Sequence, residues 1–163
     1  MTEDRRAIKV EQPLKRILGW HDISRQVDQL VERLRDDYDA MLVITRGGMV
    51  PACLISEKLN IRNILVAAVH LYTGIAQTHD APIFVQFPGD PLLTGKSILV
   101  VDDVWDSGRT AMAVLDRVRV AGGSPELAVL HYKPRASRFP HSQPDYYAEL
   151  TDDWIVYPWD DEQ

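Results

Sequence analysis

Four short apolar runs constrain this chain more than any other feature. Ala40 to Thr45, Ile64 to Val69, Ser97 to Val101 and Leu127 to Leu130 are apolar without alternating with polar residues. A strand of that kind is covered on both faces. Helix-length segments separate most of the runs. Pro51 stands at a first helical turn, with Ala52, Leu54, Ile55 and Leu59 continuing the pattern. Thr110 to Ala121 places Ala111, Val114, Leu115 and Val118 on one face, and Gly122-Gly123 supplies a stop. Ahead of the first run, Asp22 is expected to cap an amphipathic helix carrying Ile23, Val27, Leu30, Val31 and Leu34. Strands alternating with helices imply an α/β fold with a mainly parallel central sheet flanked by helices.

Two segments break the rhythm. Residues 71–93 hold three prolines, two glycines and a β-like run, Ile83 to Phe87. A connection of that length in a compact domain is expected to be a flap or lid. Residues 133–163 are rich in Pro, Tyr, Trp and Asp and read as an irregular cap, and residues 1–19 as a partly ordered lead-in. No repeat or low-complexity segment interrupts the chain. Its 163 residues suit a single domain spanning 1–163, with a flap at about 71–95 and a hood at about 133–163.

Composition removes several function classes. The formal net charge is −6, which disfavours non-specific nucleic-acid binding. Cys53 is the sole cysteine, so no intramolecular disulfide or thiolate zinc site is possible, and a reducing, cytoplasmic setting is expected. No apolar stretch approaches the roughly 18 residues of a membrane helix, and the charged N-terminus lacks the apolar run of a signal peptide. Histidines 21, 70, 79, 131 and 141 have no zinc spacing and read as structural or surface residues, with His79 a lesser candidate for a role in the flap. Gly-x-Ser-x-Gly, Walker A and GxGxxG patterns are all missing.

The chemistry is carried by Ile98 to Thr110. A buried strand runs into Asp102-Asp103, then Val104-Trp105-Asp106, then Ser107-Gly108-Arg109-Thr110 and a helix. Ligands of open α/β sheets bind outside the carboxyl ends of the strands. The turn offers backbone N–H groups and the Ser107 and Thr110 hydroxyls at a helix N-terminus, a ready phosphate cradle. Asp102 and Asp103 are neighbours on an extended chain, so they point to opposite faces and are expected to bind different things, such as ribose hydroxyls and Mg²⁺. A purely structural reading has the acids ending a strand and Asp106 capping a helix. The complete order of strand, acids and turn favours the ligand reading.

Val100 to Thr110 resembles the phosphoribosyl-pyrophosphate (PRPP) signature of type I phosphoribosyltransferases. Thr45-Arg46-Gly47-Gly48-Met49-Val50-Pro51 resembles their pyrophosphate loop. Lys133-Pro134 and Asp153 to Asp160 are similar to the hood of bacterial xanthine-guanine phosphoribosyltransferases and their archaeal relatives. The resemblance runs from about residue 22 to residue 160. It implies the type I phosphoribosyltransferase fold and transfer of ribose 5-phosphate from PRPP to a 6-oxopurine (xanthine, guanine or hypoxanthine), releasing pyrophosphate, in purine salvage.

Residue by residue, it implies that Ser107, Gly108, Arg109 and Thr110 hold the 5′-phosphate. Arg46 and Gly47 meet the pyrophosphate, with a non-proline cis bond expected at Thr45–Arg46. Asp102 and Asp103 meet the ribose hydroxyls, directly or through Mg²⁺, Asp103 on the metal side. Asp106 contacts the purine N7 as general acid/base. Lys133 donates to the exocyclic oxygen, Trp154 stacks on the base and Ile155 adds backbone contacts. The resemblance also implies a homo-oligomer, dimer or tetramer.

Departures are equally informative. Residues 73–95 contain no Lys or Arg, where family flaps carry one; Gln77, His79 and Gln86 are the long polar residues present. Either Lys96, another arginine or a neighbouring subunit is expected to serve instead, or turnover is altered. Trp105 and Arg109 are expected to reshape the phosphate pocket, and Val156 replaces an acid found in some bacterial relatives. Two alternatives stay open: a PRPP- or nucleotide-sensing regulator on the same fold, and transfer to a different base such as a pyrimidine.

Overall fold

The four apolar runs become the middle of one sheet in a computed structural model of the chain, which describes residues 14–71 and 81–160. In chain order the elements are β1 (Lys15–Ile17), α1 (Trp20–Val31), β2 (Ala40–Ile44), α2 (Met49–Leu59), β3 (Ile64–Leu71), β4 (Pro82–Gln86), β5 (Ser97–Trp105), α3 (Arg109–Val120), β6 (Ser124–Tyr132), β7 (Tyr146–Leu150) and β8 (Trp154–Val156). A short 3-10 turn, Asp90–Leu92, precedes β5.

The main sheet has the order β4-β3-β2-β5-β6-β7. All its neighbours are parallel except β3 and β4, which are antiparallel. Alternate residues of the central strands feed two cores. Met41, Val43, Leu99, Val101, Ala128 and Leu130 face α1 and α2. Leu42, Ile44, Ile98, Val100, Leu127 and Val129 face α3. Both faces are therefore apolar, which is why these runs show no alternation.

From β2 the chain first moves one way, through α2 to β3. After β4 it returns to the other flank of β2 as β5. The order thus reverses between β2 and β5, and the crevice at their carboxyl ends is where an open α/β sheet offers a ligand site.

Three expectations need correcting. The first helix begins at Trp20, with Gly19 as its cap. Asp22 sits inside the first turn, and its carboxylate accepts the Gly19 N–H at 3.0 Å. An acid in the first turn satisfies a cap from within, so the boundary lies three residues earlier than a capping role for Asp22 implies.

The C-terminal segment is less irregular than its composition suggests. β7 adds a sixth strand beside β6, and β8 pairs in parallel with β1. Residues 15–17 of the supposed lead-in are therefore half of a two-stranded hood. Their partner lies about 140 residues away, so no local pattern announces them.

The flap expectation is met only as far as β4, the edge strand. Gln86 ends it, opposite Ala68. Gln77 and His79 lie outside the described residues. Lys96 immediately precedes β5, at the strand's amino end. Eight steps of roughly 3.3 Å separate that end from the carboxyl end, so Lys96 is removed as a stand-in for a flap cation at this site.

Candidate active site

β2 and β5 lie side by side, with Ala40 to Val43 paired to Ile98 to Val101. Each strand delivers a loop to the same crevice. β2 ends at Ile44, and the Thr45–Arg46 bond that follows is cis. Gly47 and Gly48 then turn the chain into α2. β5 runs on through Asp102 and Asp103, four residues past the end of the apolar run, as far as Trp105.

Both glycines stand where a Cβ would collide with a neighbour. A Cβ on Gly47 would strike the Asp103 carboxylate, and one on Gly48 would strike the Val101 and Ile44 carbonyl oxygens. These collisions differ in kind: the first displaces the end of a side chain, the second displaces backbone. Gly47→Ala is expected to leave the melting temperature within about 2 °C while lowering kcat/KM at least tenfold. Gly48→Ala is expected to cost about 1–3 kcal/mol of stability, the range for overpacking. Thermal melts and initial rates on both variants check this; a fully active Gly47→Ala would show that Asp103 need not stay where it is.

Asp102 and Asp103 are both half-buried. The Asp103 amide donates to Asp102 Oδ1 at 2.9 Å, a local bond along the strand. Burial raises both carboxyls above the ordinary carboxylate range, and the neighbouring Asp103 charge raises Asp102 further. Of the two, Asp103 lines the cleft, and a half-buried carboxylate there suits a hard cation. Among the described residues no three His, Cys, Asp or Glu cluster as a complete ligand set. A cation here would draw its remaining ligands from water or a substrate, as Mg²⁺ commonly does.

Behind Asp103 lies a polar chain that sequence reasoning missed. His131 is fully buried. Its Nε2 meets Gln26 Nε2 at 3.0 Å, and its Nδ1 meets the Tyr157 hydroxyl at 2.8 Å. Tyr157 in turn donates to the Asp103 carbonyl at 3.2 Å. The donors fix the tautomer: Gln26 donates to Nε2, so the ring proton sits on Nδ1 and points at Tyr157. Burial lowers the His131 pKa to about 4, so the ring is neutral at physiological pH. Gln26 and Arg16 also donate to Glu149, tying β1 to β7. The only sequence signal for this chain was a histidine at the end of an apolar strand.

Asp106 is exposed at the end of β5, and Ser107 and Gly108 lead into α3. The Arg109 amide donates to Ser107 Oγ at 3.4 Å. Gly108 has φ +79°, and a Cβ there would lie 2.5 Å from the Trp105 ring. The indole itself is 1% exposed and donates to Ser137 Oγ at 3.0 Å. Trp105 therefore forms the floor beneath the turn, so any effect it has on the phosphate pocket acts from below, through Gly108. The Lys133 amide donates to the Trp105 carbonyl at 2.9 Å, and Lys133 Nζ lies 5.7 Å from the centre of the Trp154 ring. Trp154 is 60% exposed on the hood, while Ile155 next to it is buried.

A cleft of about 870 Å³ opens between the Arg46 loop and the hood. Arg46, Gly47, Asp103, Trp154 and Ile155 all line it. Asp106, Ser107 to Thr110 and Lys133 stand outside that lining, Lys133 being joined to it through Trp154. Lys15, Ile17, Trp159 and Asp160 line the cleft without having been singled out from the sequence. Trp159 stacks on Tyr157 with ring centres 4.6 Å apart and planes at 7°.

Comparison with known proteins fits this geometry. A xanthine-guanine phosphoribosyltransferase of Desulfotalea psychrophila is 32% identical over 148 residues, covering 89% of this chain and 86% of that protein. The crystal structure of a purine phosphoribosyltransferase from Pyrococcus horikoshii superposes with a TM-score of 0.78 at 32% identity, over 91% of this chain and 95% of that one. A Neisseria gonorrhoeae protein crystallised with bound ppGpp superposes with a TM-score of 0.77 at 31% identity, over 92% and 91%. Residues 13–162 match the phosphoribosyl transferase domain, and the chain belongs to that family.

Proposed function

We propose that this protein transfers ribose 5-phosphate from PRPP to a 6-oxopurine (xanthine, guanine or hypoxanthine), with release of pyrophosphate, in cytoplasmic purine salvage. One observation carries the reading: at the switch point of the sheet, the Arg46-Gly47 loop after β2 meets the Asp102–Thr110 run of β5, with Gly47 packed against the Asp103 carboxylate. Xanthine-guanine and purine phosphoribosyltransferases among the relatives support the choice of base class. Residues 1–163 form one domain in this reading, with a flap and a hood, and the protein assembles as a dimer or tetramer.

The roles proposed for the residues are those the motifs imply, and placement supports part of them. Ser107, Gly108, Arg109 and Thr110 hold the 5′-phosphate at the start of α3, where first-turn amides and the helix dipole favour an anion. Arg46 and Gly47 hold the pyrophosphate. Asp102 and Asp103 hold the ribose hydroxyls from opposite faces of β5, with Asp103 toward the cleft. Asp103, half-buried and without a cationic partner among the described residues, would hold Mg²⁺, which supplies positive charge against the departing pyrophosphate. Lys133 and Trp154 form the slot for the base, and Ile155 backs it.

During reaction the bond from sugar carbon 1 to the pyrophosphate oxygen breaks. A bond to the purine nitrogen forms, and the base gives up a proton. Asp106 is the acceptor at N7 and can also return that proton. The sugar carbon develops oxocarbenium character, as in glycoside cleavage. Charges fixed before the reaction offset both developments without reorganising: the acids of β5 oppose the positive sugar, and Arg46 the negative pyrophosphate.

The bound ppGpp of the Neisseria gonorrhoeae relative favours a second reading, a protein that senses guanine nucleotides. One assay separates them. Incubated with PRPP, Mg²⁺ and each purine or pyrimidine base, the protein is expected to form nucleotide with a 6-oxopurine and to stop on addition of EDTA. Asp106→Asn is expected to slow turnover about 10²–10⁴-fold, the usual worth of a general acid/base, while still binding PRPP. Absence of product with every base would leave the sensing reading alone.

A further inference from the structure

Two cations face the cleft without an ion-pair partner among the described residues. Among the described residues Lys15 and Arg46 both line it, and neither forms an ion pair there. Strand geometry aims Lys15. β1 is held in register by β8, with Lys15 opposite Trp154. The Trp154 amide donates to the Leu14 carbonyl, and the Leu18 amide to the Val156 carbonyl, each at 2.9 Å. Along β1 the side chains alternate. Arg16 turns away from the cleft to Glu149, while Lys15 and Ile17 turn into it.

The charge balance of the lining depends on this one side chain. Its ionisable residues are Lys15, Arg46, Asp103 and Asp160. With Lys15 the cations equal the carboxylates. Without it, and before a cation binds at Asp103, a single arginine faces two carboxylates, and an anion entering the cleft would meet net repulsion. The 5′-phosphate is the wrong anion for this place, because Ser107 to Thr110 do not line the cleft. The anion between Lys15 and Arg46 is the one released on the Arg46 side. Residues 73–95 supply no competing Lys or Arg.

We propose that Lys15 binds the pyrophosphate group of PRPP from the hood wall of the cleft, facing Arg46 across it. The inference rests on the phosphoribosyltransferase reading of the site. It gives β1 a function: to deliver a cation that the flap lacks.

The test uses the full chain with Mg²⁺ and inorganic pyrophosphate, followed by titration calorimetry. Lys15→Met is expected to weaken pyrophosphate binding about 10- to 100-fold, the range for losing one charged hydrogen bond. It should raise the KM for PRPP similarly. Affinity for a purine nucleoside monophosphate and the KM for the base are expected to stay within twofold. Lys15→Arg is expected to restore most of the pyrophosphate affinity. Lys15 is exposed, so the melting temperature of either variant should match wild type. Wild-type affinity for pyrophosphate in Lys15→Met would overturn the proposal while leaving the enzyme reading intact. So would a parallel loss of monophosphate or base affinity, since that would make Lys15 a support for the hood. A wild-type protein that binds neither pyrophosphate nor PRPP would overturn both.

Discussion

Asp103→Asn is expected to make the protein more stable at neutral pH and nearly inactive. The stability half follows from linkage. Burial raises the Asp103 carboxyl above its unfolded value, so the folded state holds that proton more tightly than the unfolded state does. For an acid shifted upward, stability falls as pH climbs from the ordinary carboxylate range through the folded pKa. At neutral pH the ionised Asp102–Asp103 pair is therefore a cost to the fold. The isosteric amide removes half of it without creating a cavity. A gain of about 0.5–2 kcal/mol is expected, read as a melting temperature a few degrees higher at pH 7.5 in EDTA. The gain should shrink toward pH 4.5, where the wild-type carboxyls take up protons.

The activity half has the opposite sign. Loss of a preorganised charge at the reacting centre costs about 10²–10³-fold in kcat, and Asp103 is the only acid of β5 that lines the cleft. The two halves together separate this reading from a structural one. A merely structural aspartate would lose stability when replaced. If Asp103→Asn melts lower than wild type at pH 7.5 in EDTA, the pair is neutralised inside the fold, and the argument for an incoming cation fails.

That trade-off also explains how much could be read from the sequence. Residues that obey local rules were legible. Leu42, Val43, Val100 and Val101 repeat as apolar neighbours because helices cover both faces of β2 and β5. Asp102 and Asp103 stand out because they break that rule at a strand's end, where burial of a charge needs a reason. What stayed hidden depends on pairing across the chain. β1 is three residues long and exists only because β8 offers it a ladder. Lys15 and Ile17 therefore carried no signal, although both line the cleft. Tyr146 to Leu150 reads as loop by composition, yet it completes the sheet beside β6. His131 and Tyr157 look unremarkable as residue types; their role comes from a hydrogen-bond chain linking α1, β6 and the residue after β8 to Asp103. How Trp105 bears on the turn was hidden for a related reason: the strand continues to Trp105 and the indole turns into the core below α3.

Trp105→Ala is accordingly expected to cost about 3–5 kcal/mol, as for other fully buried tryptophans, with a matching drop in melting temperature. The ring meets Tyr132 and Phe139 edge-on, with centres 6.1 and 6.4 Å away. Its Nε1 bond to Ser137 and its carbonyl bond to the Lys133 amide tie the floor to the segment after β6. The Arg138 amide also donates to the Ser107 carbonyl at 3.0 Å, so that segment and the phosphate turn share one support. Trp105→Phe keeps most of the apolar contact and should lose well under half as much stability. The decisive measurement is a double-mutant cycle with Gly108. In wild type, Gly108→Ala meets two penalties: the positive φ, costing about 1–2 kcal/mol, and collision with the indole. In the Trp105→Ala background the collision is gone and only the φ penalty remains. The two losses should therefore fall short of additivity by about 1 kcal/mol or more. Strict additivity would mean that the ring does not set the path of the turn, and that Gly108 is required by backbone conformation alone.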